Sequence, residues 1–360
     1  MSRRGRALPS SMTSPALSVL DLVPVRTGQT SAQAIAASLD LAERADALGY
    51  RRYWFAEHHN MPAVASTTPP VLTAAAAART RRIRVGSGGV MLPNHSPLVV
   101  AEQFAALEAI APGRIDLGLG RAPGSDPVIT QLLRMSGTTS DVDRFPDHIR
   151  DILALTSPEG ATVRLTGRPD GEDRYTVHAT PAAAGAPELW LLGSSDYSAQ
   201  LAAALGLPYV FANHFTGEGL DRALGLYRQG FQPSEHLDAP RTFLTANAVV
   251  ADSAAEADER MLPQARMMAR LRSGRPLTAL ETVEQAAAAE ASDRLAAPLV
   301  DAMRRRWFVG ESQDVRTRLD AFAAAHGVDE IMISPVAAAY DDEPLDAVTG
   351  RVRTLELLAA

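Results

Sequence analysis

The stretch from Ile83 to Gly120 decides the fold. It reads IRVGSGGVML at Ile83–Leu92, a helical segment as far as Ala111, and RIDLGLG at Arg114–Gly120. The two outer runs have the apolar character of buried strands, and Ser96-Pro97 supplies an N-cap and a first-turn proline for the helix between them. A strand, a helix and a second strand in this order predict one βαβ unit of a parallel sheet.

The same rhythm recurs along the rest of the chain. Eight strand candidates are each followed by a helical pattern: Leu17–Val25, Arg51–His59, Ile83–Leu92, Arg114–Gly120, Glu188–Gly193, Tyr209–Phe215, Arg241–Ala251 and Glu330–Pro335. Eight such units favour an α/β protein closed into a single (β/α)8 TIM barrel. An open doubly wound sheet is the rival fold, but its G-x-G-x-x-G turn is missing after the first strand.

Four segments of the chain fall outside the eight predicted strand–helix units: an N-terminal tail and three insertions. Residues 1–16 are expected to form a flexible N-terminal tail, and residues 17–360 a single barrel domain. Ala122–Ser140, Thr156–Pro187 and Ser273–Val300 do not follow the strand–helix rhythm, so we expect insertions there in the loops between elements. In such barrels the loops at the carboxyl ends of the strands build the functional site.

Composition excludes several kinds of chemistry. The chain has 360 residues, is 46% hydrophobic and carries a net charge of −7, which does not suit a nucleic-acid-binding protein. All 35 basic residues are arginine and cysteine is absent, so a lysine Schiff base, a thiolate nucleophile and cysteine-ligated metals are excluded. There is neither an apolar run of the ~18 residues that a membrane span needs nor a signal-peptide pattern. A cytoplasmic protein is therefore expected.

Polar residues gather where the second and third predicted strands end. Glu57-His58-His59 closes the second strand, and a histidine there suits general acid–base catalysis; a hydrogen bond at a loop entrance is the alternative. No metal-ligand spacing such as H-E-x-x-H surrounds these histidines, so no metal is expected. Gly86-Ser87-Gly88-Gly89 in the third strand indicates either a flat ligand against the strand or a tight barrel corner.

Two later segments predict an anion site. Arg121 follows the fourth strand among glycines and suits a phosphate or carboxylate, unless it makes only a surface salt bridge. Gly193-Ser194-Ser195-Asp196-Tyr197-Ser198 follows the fifth strand and opens a helix, whose first amide groups attract anions. Ordinary N-capping by Ser195 or Asp196 is the alternative there.

Long blocks of the chain resemble the luciferase-like flavin-dependent monooxygenases, in the subgroup that does not emit light. The blocks are LDLVPV at Leu20–Val25, RRYWFAEHHNMP at Arg51–Pro62, IRVGSGGVMLPNHSPLVVAEQF at Ile83–Phe104, PGRIDLGLGRAPGSD at Pro112–Asp126, LWLLGSSDYSAQLAAALGLPYVFANHF at Leu189–Phe215 and FVG at Phe308–Gly310. Blocks of this length, spread from Leu17 to Pro335, identify the family more specifically than any single motif.

The resemblance implies a cofactor, a reaction and partners. Reduced FMN (FMNH2), supplied by a separate NAD(P)H:flavin reductase, would bind at the barrel mouth and react with O2. Through a C4a-flavin peroxide, the enzyme would then oxygenate a small organic substrate. The resemblance also implies a homodimer. The loop that shields the flavin in light-emitting members has no counterpart in Ser273–Val300, so light emission is not implied.

The resemblance also implies site residues, each of which matches a position of this chain. His58 would manage protons, oriented by Glu57. A non-prolyl cis peptide at Ser87–Gly88 would support the flavin ring. The phosphate would be held by Arg121, Arg144, Gly193, Ser194, Ser195 and Ser198, and the substrate pocket would include Asn213 and His214.

Three other functions stay open from the sequence. One is an F420-dependent hydride-transfer oxidoreductase, because related barrels bind that deazaflavin in a similar position. Another is a non-catalytic flavin-binding barrel, against which the presence of His58 beside Arg121 and Ser195 argues. A metal-dependent barrel hydrolase is disfavoured, because carboxylates and histidines do not cluster at the strand ends.

Overall fold

The computed structural model describes residues 14–122, 127–135, 142–164, 174–215, 217–290 and 292–360. In chain order its strands are β1 (Ala16–Asp21), β2 (Arg52–Phe55), β3 (Arg84–Met91), β4 (Ile115–Gly120), β5 (Ala161–Arg164), β6 (Arg174–Val177), β7 (Glu188–Gly193), β8 (Tyr209–Phe211), β9 (Thr242–Val250), β10 (Phe308–Gly310) and β11 (Glu330–Pro335). Eight of them pair in the parallel order β9-β11-β1-β2-β3-β4-β7-β8, and β8 pairs with β9 to close the ring. The predicted (β/α)8 TIM barrel is confirmed.

Helices follow the barrel strands. They are α1 (Ser31–Leu48), α2 (Pro69–Arg79), α3 (Pro97–Ile110), α4 (Pro127–Met135), α5 (Phe145–Thr156), α6 (Asp196–Leu205), α7 (Leu220–Gly230), α8 (Ala254–Arg272), α9 (Val283–Glu290), α10 (Ala297–Arg306), α11 (Ser312–His326) and α12 (Thr349–Ala359). None of the described helices is long and apolar enough to cross a membrane.

The three expected insertions take different forms. The first contains α4, although 123–126 and 136–141 lie outside the described residues, as do residues 1–13 of the expected tail. The second contains the antiparallel pair β5 and β6. The third contains α9 and joins the loop after β1, where Leu280 N donates to Val25 O and Thr27 N donates to Leu280 O, both at 2.8 Å.

Side chains alternate between the barrel interior and the helix-facing side of each strand. The interior holds Leu20, Trp54, Trp190, Phe243 and Met332 in one apolar cluster. The ring centroids of Trp190 and Phe243 are 4.9 Å apart and those of Trp54 and Phe243 5.3 Å, in the tilted arrangements that aromatic pairs prefer. This apolar cluster fills the middle of the barrel, so a ligand-binding site has to lie at one of the two ends of the barrel.

Small residues on β3 and β4 let the two strands approach closely. A Cβ on Gly86 would collide with the backbone carbonyl of Asp116, and one on Gly118 would collide with that of Ser87. The tight-corner interpretation therefore explains these two glycines. The register also shifts between Ser87 and Val90, which makes a bulge at Gly88-Gly89.

A layer of ion pairs closes the amino-terminal end of the barrel. Arg52 Nη1 lies 2.9 Å from Asp116 Oδ2 and 2.9 Å from Glu188 Oε2, while Arg52 Nε lies 3.0 Å from Glu330 Oε1. Arg84 Nη2 joins the same layer, 2.6 Å from Asp116 Oδ1. Asp116 therefore faces the barrel interior, where its Oδ2 also accepts from Trp54 Nε1 at 2.8 Å.

Candidate functional site

The candidate site is the carboxyl end of the barrel, where the loops after the strands meet. Three strands end four residues earlier than the sequence predicts: β1 ends at Asp21, β2 at Phe55 and β8 at Phe211. Glu57-His58-His59 and Asn213-His214 therefore lie in loops. After Phe55 the chain makes one more bond to β1, in which Ala56 N donates to Asp21 O at 3.0 Å. It then leaves the sheet, and His58 N donates to Ser66 O at 3.0 Å.

The bulge of β3 opens onto this end. The cis peptide joins Gly88 and Gly89, so the expected position at Ser87–Gly88 is wrong by one residue. Ser87 is fully buried, and its Oγ donates to Gly118 O at 2.9 Å and accepts from Gly118 N at 3.0 Å. The Ser87 hydroxyl thus ties β3 to β4, while the half-buried Gly88 remains accessible at the mouth.

Glu57 is a buried carboxylate that joins two loops. Its Oε1 accepts from His59 Nε2 at 2.9 Å and from His95 Nε2 at 2.8 Å, and its Oε2 accepts from Met91 N at 2.9 Å. Although burial opposes ionisation, these hydrogen bonds lower the pKa of Glu57 to about 2. The histidines held by Glu57 are His59 and His95, whereas the sequence suggested His58.

His58 and His214 lie close together at the mouth. The charges of His58 and Arg306 add to burial in lowering the pKa of His214 to about 4, so His214 is neutral at pH 7. His58 and His214 follow different strands, β2 and β8, and both are half-buried. The mouth therefore brings two imidazoles together in a positively charged surrounding.

Two residues of β9 hold the loop after β8. Thr245 Oγ1 lies 2.8 Å from His214 Nδ1 and accepts from His214 N at 3.1 Å, while Asn247 Nδ2 donates to His214 O at 2.8 Å. Asn213 Nδ2 donates to Thr245 O at 3.1 Å. Sequence reasoning missed Thr245 and Asn247, although two polar residues at i and i+2 in an apolar strand were a usable signal.

Arg121 and the start of α6 come together on the neighbouring side. The guanidinium carbon of Arg121 lies 4.1 Å from the ring centroid of Tyr197, which is a cation–π contact. Tyr197 was not predicted as a site residue. Since Tyr197 belongs to the first turn of α6, the stacking brings the guanidinium to the positive end of that helix.

The first turn of α6 is not capped in the ordinary way. Ser195 has the extended conformation of an N-cap, but its side chain makes no capping hydrogen bond. Ser198 Oγ turns back and donates to Ser195 O at 2.8 Å, and a Cβ on Gly193 would collide with the Ser198 side chain. The first amide groups of α6 therefore have no acceptor in the Ser195 side chain and are open to water or to a bound anion.

The remaining predicted residues are less enclosed. Arg144 is exposed at the start of α5, where it is the N-cap residue. Ser194 is exposed ahead of α6. Among the residues that the structure describes, no three His, Cys, Asp or Glu side chains are placed to hold a metal ion.

With this geometry in view, a family model described as luciferase-like monooxygenase matches residues 16–330. The chain belongs to the luciferase-like monooxygenase family. The predicted resemblance is thereby confirmed, and with it the assignment to the oxidoreductases.

Individual members of the luciferase-like monooxygenase family match over most of the chain. A luciferase-like monooxygenase of Escherichia coli (strain K12) is 42% identical over 325 residues, covering 89% of this chain and 91% of that protein. The N-acetyl-S-alkylcysteine monooxygenase of Bacillus subtilis (strain 168) is 34% identical over 260 residues, covering 72% of this chain and 75% of that one.

Solved structures share the barrel. The crystal structure of apo-MsnO8 superposes with a TM-score of 0.80 at 35% identity and covers 96% of this chain and 97% of its own. Two more distant structures share the fold alone. They are the oxygenating constituent of 3,6-diketocamphane monooxygenase in complex with FMN (20% identity, TM-score 0.67) and an F420-dependent secondary alcohol dehydrogenase (15%, 0.63).

Proposed function

We propose that this protein is an FMN-dependent monooxygenase, which uses reduced FMN and O2 to oxygenate a small organic substrate. The observation that carries the proposal is the stacking of Arg121 on Tyr197 at the uncapped first turn of α6. This anion-binding arrangement lies at the same end of the barrel as the His58–His214 pair. A flavin enzyme needs a phosphate-binding site and an acid–base group at the same end of the barrel. Membership of the luciferase-like monooxygenase family supports the reaction class.

The residues of the mouth fit FMN. Arg121 and the first amide groups of α6 would hold the phosphate, with the Ser195 hydroxyl beside them. The flavin ring would lie along the bulge of β3, where the half-buried backbone of Gly88 is accessible. Arg144, exposed at the start of α5, is the proposed second phosphate ligand.

The reduced flavin, when bound, supplies the electrons with which one atom of O2 enters the substrate and the other leaves as water. The residues of this chain would orient the flavin and the substrate, exclude water from the site and transfer protons. Leu22 and Leu192 pack partly buried on the interior cluster, so the floor of the mouth is apolar. His58 would hold or donate a proton at its imidazole, since a neutral-pH acid–base group is the usual means of such transfer.

Two partners belong to the proposal. A separate NAD(P)H:flavin reductase would supply the reduced FMN, because the first strand is not followed by a dinucleotide-binding glycine turn. A homodimer is supported by apolar side chains on the neighbouring helices α2 and α3. These side chains are Val71, Leu98, Val99 and Ile110, exposed by 64%, 38%, 48% and 56%.

Replacing His58 tests the proposed reaction. We expect the His58→Ala variant to bind FMN as the wild type does but to oxygenate 10²–10⁴-fold more slowly, the usual contribution of a general acid or base. Turnover is measured with photoreduced FMN, O2 and two probes: an N-acetyl-S-alkylcysteine, taken from the name of a relative, and 4-ethylphenol, which carries a hydroxyl. The rate of O2-dependent flavin reoxidation is recorded alongside. His236→Ala, at an exposed position, is the matched control. If neither the turnover nor the reoxidation rate changes in His58→Ala, the role of His58 is wrong.

The choice of cofactor is tested separately by titration. Reduced FMN and reduced F420 are added to the protein without oxygen, and O2 is then admitted. Preference for FMN followed by oxygenation supports the proposal. Preference for F420 would indicate hydride transfer instead, and tight FMN binding without any reaction would indicate a flavin-binding barrel without turnover.

A further inference from the structure

Thr245 fixes the protonation pattern of His214. The Thr245 hydroxyl makes three contacts: it lies 3.2 Å from Phe211 O, 3.1 Å from His214 N and 2.8 Å from His214 Nδ1. A hydroxyl has one proton to donate and two lone pairs with which to accept. The carbonyl of Phe211 can only accept and the amide of His214 can only donate, so these two roles are settled.

The third contact then follows. With its proton directed to Phe211 O, Thr245 Oγ1 can only accept from the imidazole, so His214 Nδ1 carries the hydrogen. This pattern satisfies all three contacts of the hydroxyl at once. A proton donated to Nδ1 would instead leave the 3.2 Å contact with Phe211 O without a hydrogen, although that carbonyl also accepts from Asn213 N at 2.8 Å. Because the imidazole is neutral, Nε2 has a lone pair and no hydrogen.

The loop around His214 is held rigidly. Asn247 Nδ2 binds the carbonyl of His214, and Thr245 binds both its amide and its ring. The ring is half-buried, and none of the residues described by the structure makes a hydrogen bond to Nε2. A fixed imidazole with an uncommitted acceptor at the mouth is a recognition group.

We propose that His214 binds the substrate by accepting a hydrogen bond at Nε2 and that the substrate carries a neutral hydroxyl group there. The inference rests on the proposed function, because it assigns the substrate class of the same mouth. The nearby guanidinium of Arg306 disfavours an ammonium as the donor. A hydroxyl can both donate to Nε2 and accept a hydrogen bond, whereas an amide N–H can only donate.

The apolar floor of the mouth indicates the character of the rest of the substrate. Leu22 and Leu192 cover the interior cluster beneath the mouth. The substrate is therefore a hydroxylated molecule with an apolar body, oriented with its hydroxyl towards β8 and β9. His214 is the specificity-determining residue in this arrangement, and Thr245 positions it.

The protonation pattern is tested first, on the full chain labelled with [15N]histidine. Long-range 1H–15N spectra at pH 7.5 distinguish the two neutral forms of the ring, and His214→Gln identifies the signals of His214. We expect the form protonated at Nδ1. In Thr245→Val, which keeps the shape of the side chain but loses the hydroxyl, we expect the Nδ1-protonated form to be no longer the major one. A wild-type ring protonated at Nε2 would overturn the proposal.

Substrate recognition is tested with matched probes, 4-ethylphenol against 4-ethylanisole and benzyl alcohol against benzyl methyl ether. Dissociation constants come from NMR titration in the absence of flavin. We expect each hydroxyl compound to bind about 3- to 10-fold more tightly than its ether, the usual yield of one hydrogen bond. His214→Gln, whose amide oxygen replaces the acceptor, should keep the preference. His214→Asn, whose amide reaches only the Nδ1 position, should lose it.

The outcomes separate this inference from the proposed function. Equal binding of alcohol and ether, binding of neither, or a preference that survives in His214→Asn would each overturn the inference. Binding of reduced FMN is measured in the same preparations. If FMN binds and the hydroxyl preference is missing, only the inference fails; if the preference is present and FMN does not bind, only the proposed function fails.

Discussion

The two ends of the barrel use charged and polar side chains in opposite ways. At the amino-terminal end, Arg52 makes ion pairs with Asp116, Glu188 and Glu330, and its guanidinium also lies 4.8 Å from the ring centroid of Trp190. At the carboxyl end, Arg121 makes a cation–π contact with Tyr197, and His214 keeps one ring nitrogen free of any partner among the described residues.

This difference separates stability from binding. In the closed layer, burial opposes ionisation, but the neighbouring arginines still lower the pKa of Glu188 to about 2, and the surrounding acids raise the pKa of Arg52. Groups that are fully paired have no free donor or acceptor for a ligand, but removal of any one of them lowers the stability of the fold. At the mouth, Arg121 contacts an aromatic ring and His214 Nε2 has no hydrogen-bond partner among the described residues, so both groups can still bind a ligand.

The largest effect is expected at the closed end. In Arg52→Met, Glu330 and Asp116 stay buried with fewer counter-charges, so the free energy of unfolding should fall by about 3–5 kcal/mol. Urea denaturation followed by circular dichroism measures it. Arg82→Ala, at a 73% exposed arginine, is the control and should change stability by less than about 0.5 kcal/mol. A loss below 1 kcal/mol in Arg52→Met would contradict the role of this layer.

Glu57 is the exception that sharpens the comparison, because it lies near the mouth but is fully paired. Its pKa is about 2 in the folded protein against 4.5 for an ordinary glutamate, which corresponds to about 3 kcal/mol of stability. This contribution is complete above pH 4.5 and is lost as the pH falls towards 2. Glu57→Gln should therefore be less stable than the wild type at pH 7, and the gap should narrow below pH 4.5. Denaturation curves from pH 7 to pH 3 measure this, and a gap independent of pH would contradict it.

Arg121 tests the open end. Arg121→Ala should weaken the binding of reduced FMN about 10- to 100-fold, the worth of a charge-assisted hydrogen bond to phosphate, and leave the unfolding temperature nearly unchanged. The matched control is Arg222→Ala. Arg222, on α7, lies 2.5 Å from Asp196 of α6 but is 75% exposed, so FMN affinity should not respond to its loss. Equal losses in both variants would indicate a general charge effect instead of a phosphate grip.

The smallest effect is expected at Ser195. Since its side chain does not cap α6, Ser195→Ala should cost less than about 0.5 kcal/mol of stability, while FMN affinity falls a few-fold. Ser253→Ala is the contrast, because Ser253 accepts from Glu256 N at 3.2 Å and caps α8. Its loss should cost about 1 kcal/mol without any change in FMN binding. A thermal scan and an FMN titration of each variant decide between capping and ligand binding.

Sequence reasoning predicted the architecture better than the site. All eight strand candidates became barrel strands, because apolar runs and helical periodicity are local properties of the chain. The errors fell where strands end. The second strand was predicted to run on to His59 but ends at Phe55, since after a last bond to Asp21 of β1 the backbone turns to bond with Ser66.

Partners within the site were harder to predict. His95 was not connected with Glu57, nor Tyr197 with Arg121, nor Thr245 with His214. Each of these pairs comes from two loops or strands far apart in the chain. Which side chains meet depends on the register of the sheet and on the path of each loop, and hydrophobic patterning carries no information about either.

By itself, the sequence determined the barrel, the family and the general location of the mouth, because these follow from repeated local patterns and from long matching blocks. The tertiary structure alone decided that Glu57 is committed to two histidines, that Ser87 ties β3 to β4, and that His214 offers an acceptor. The physical reason is that a hydrogen bond depends on ångström-scale placement of groups brought together only when the barrel closes.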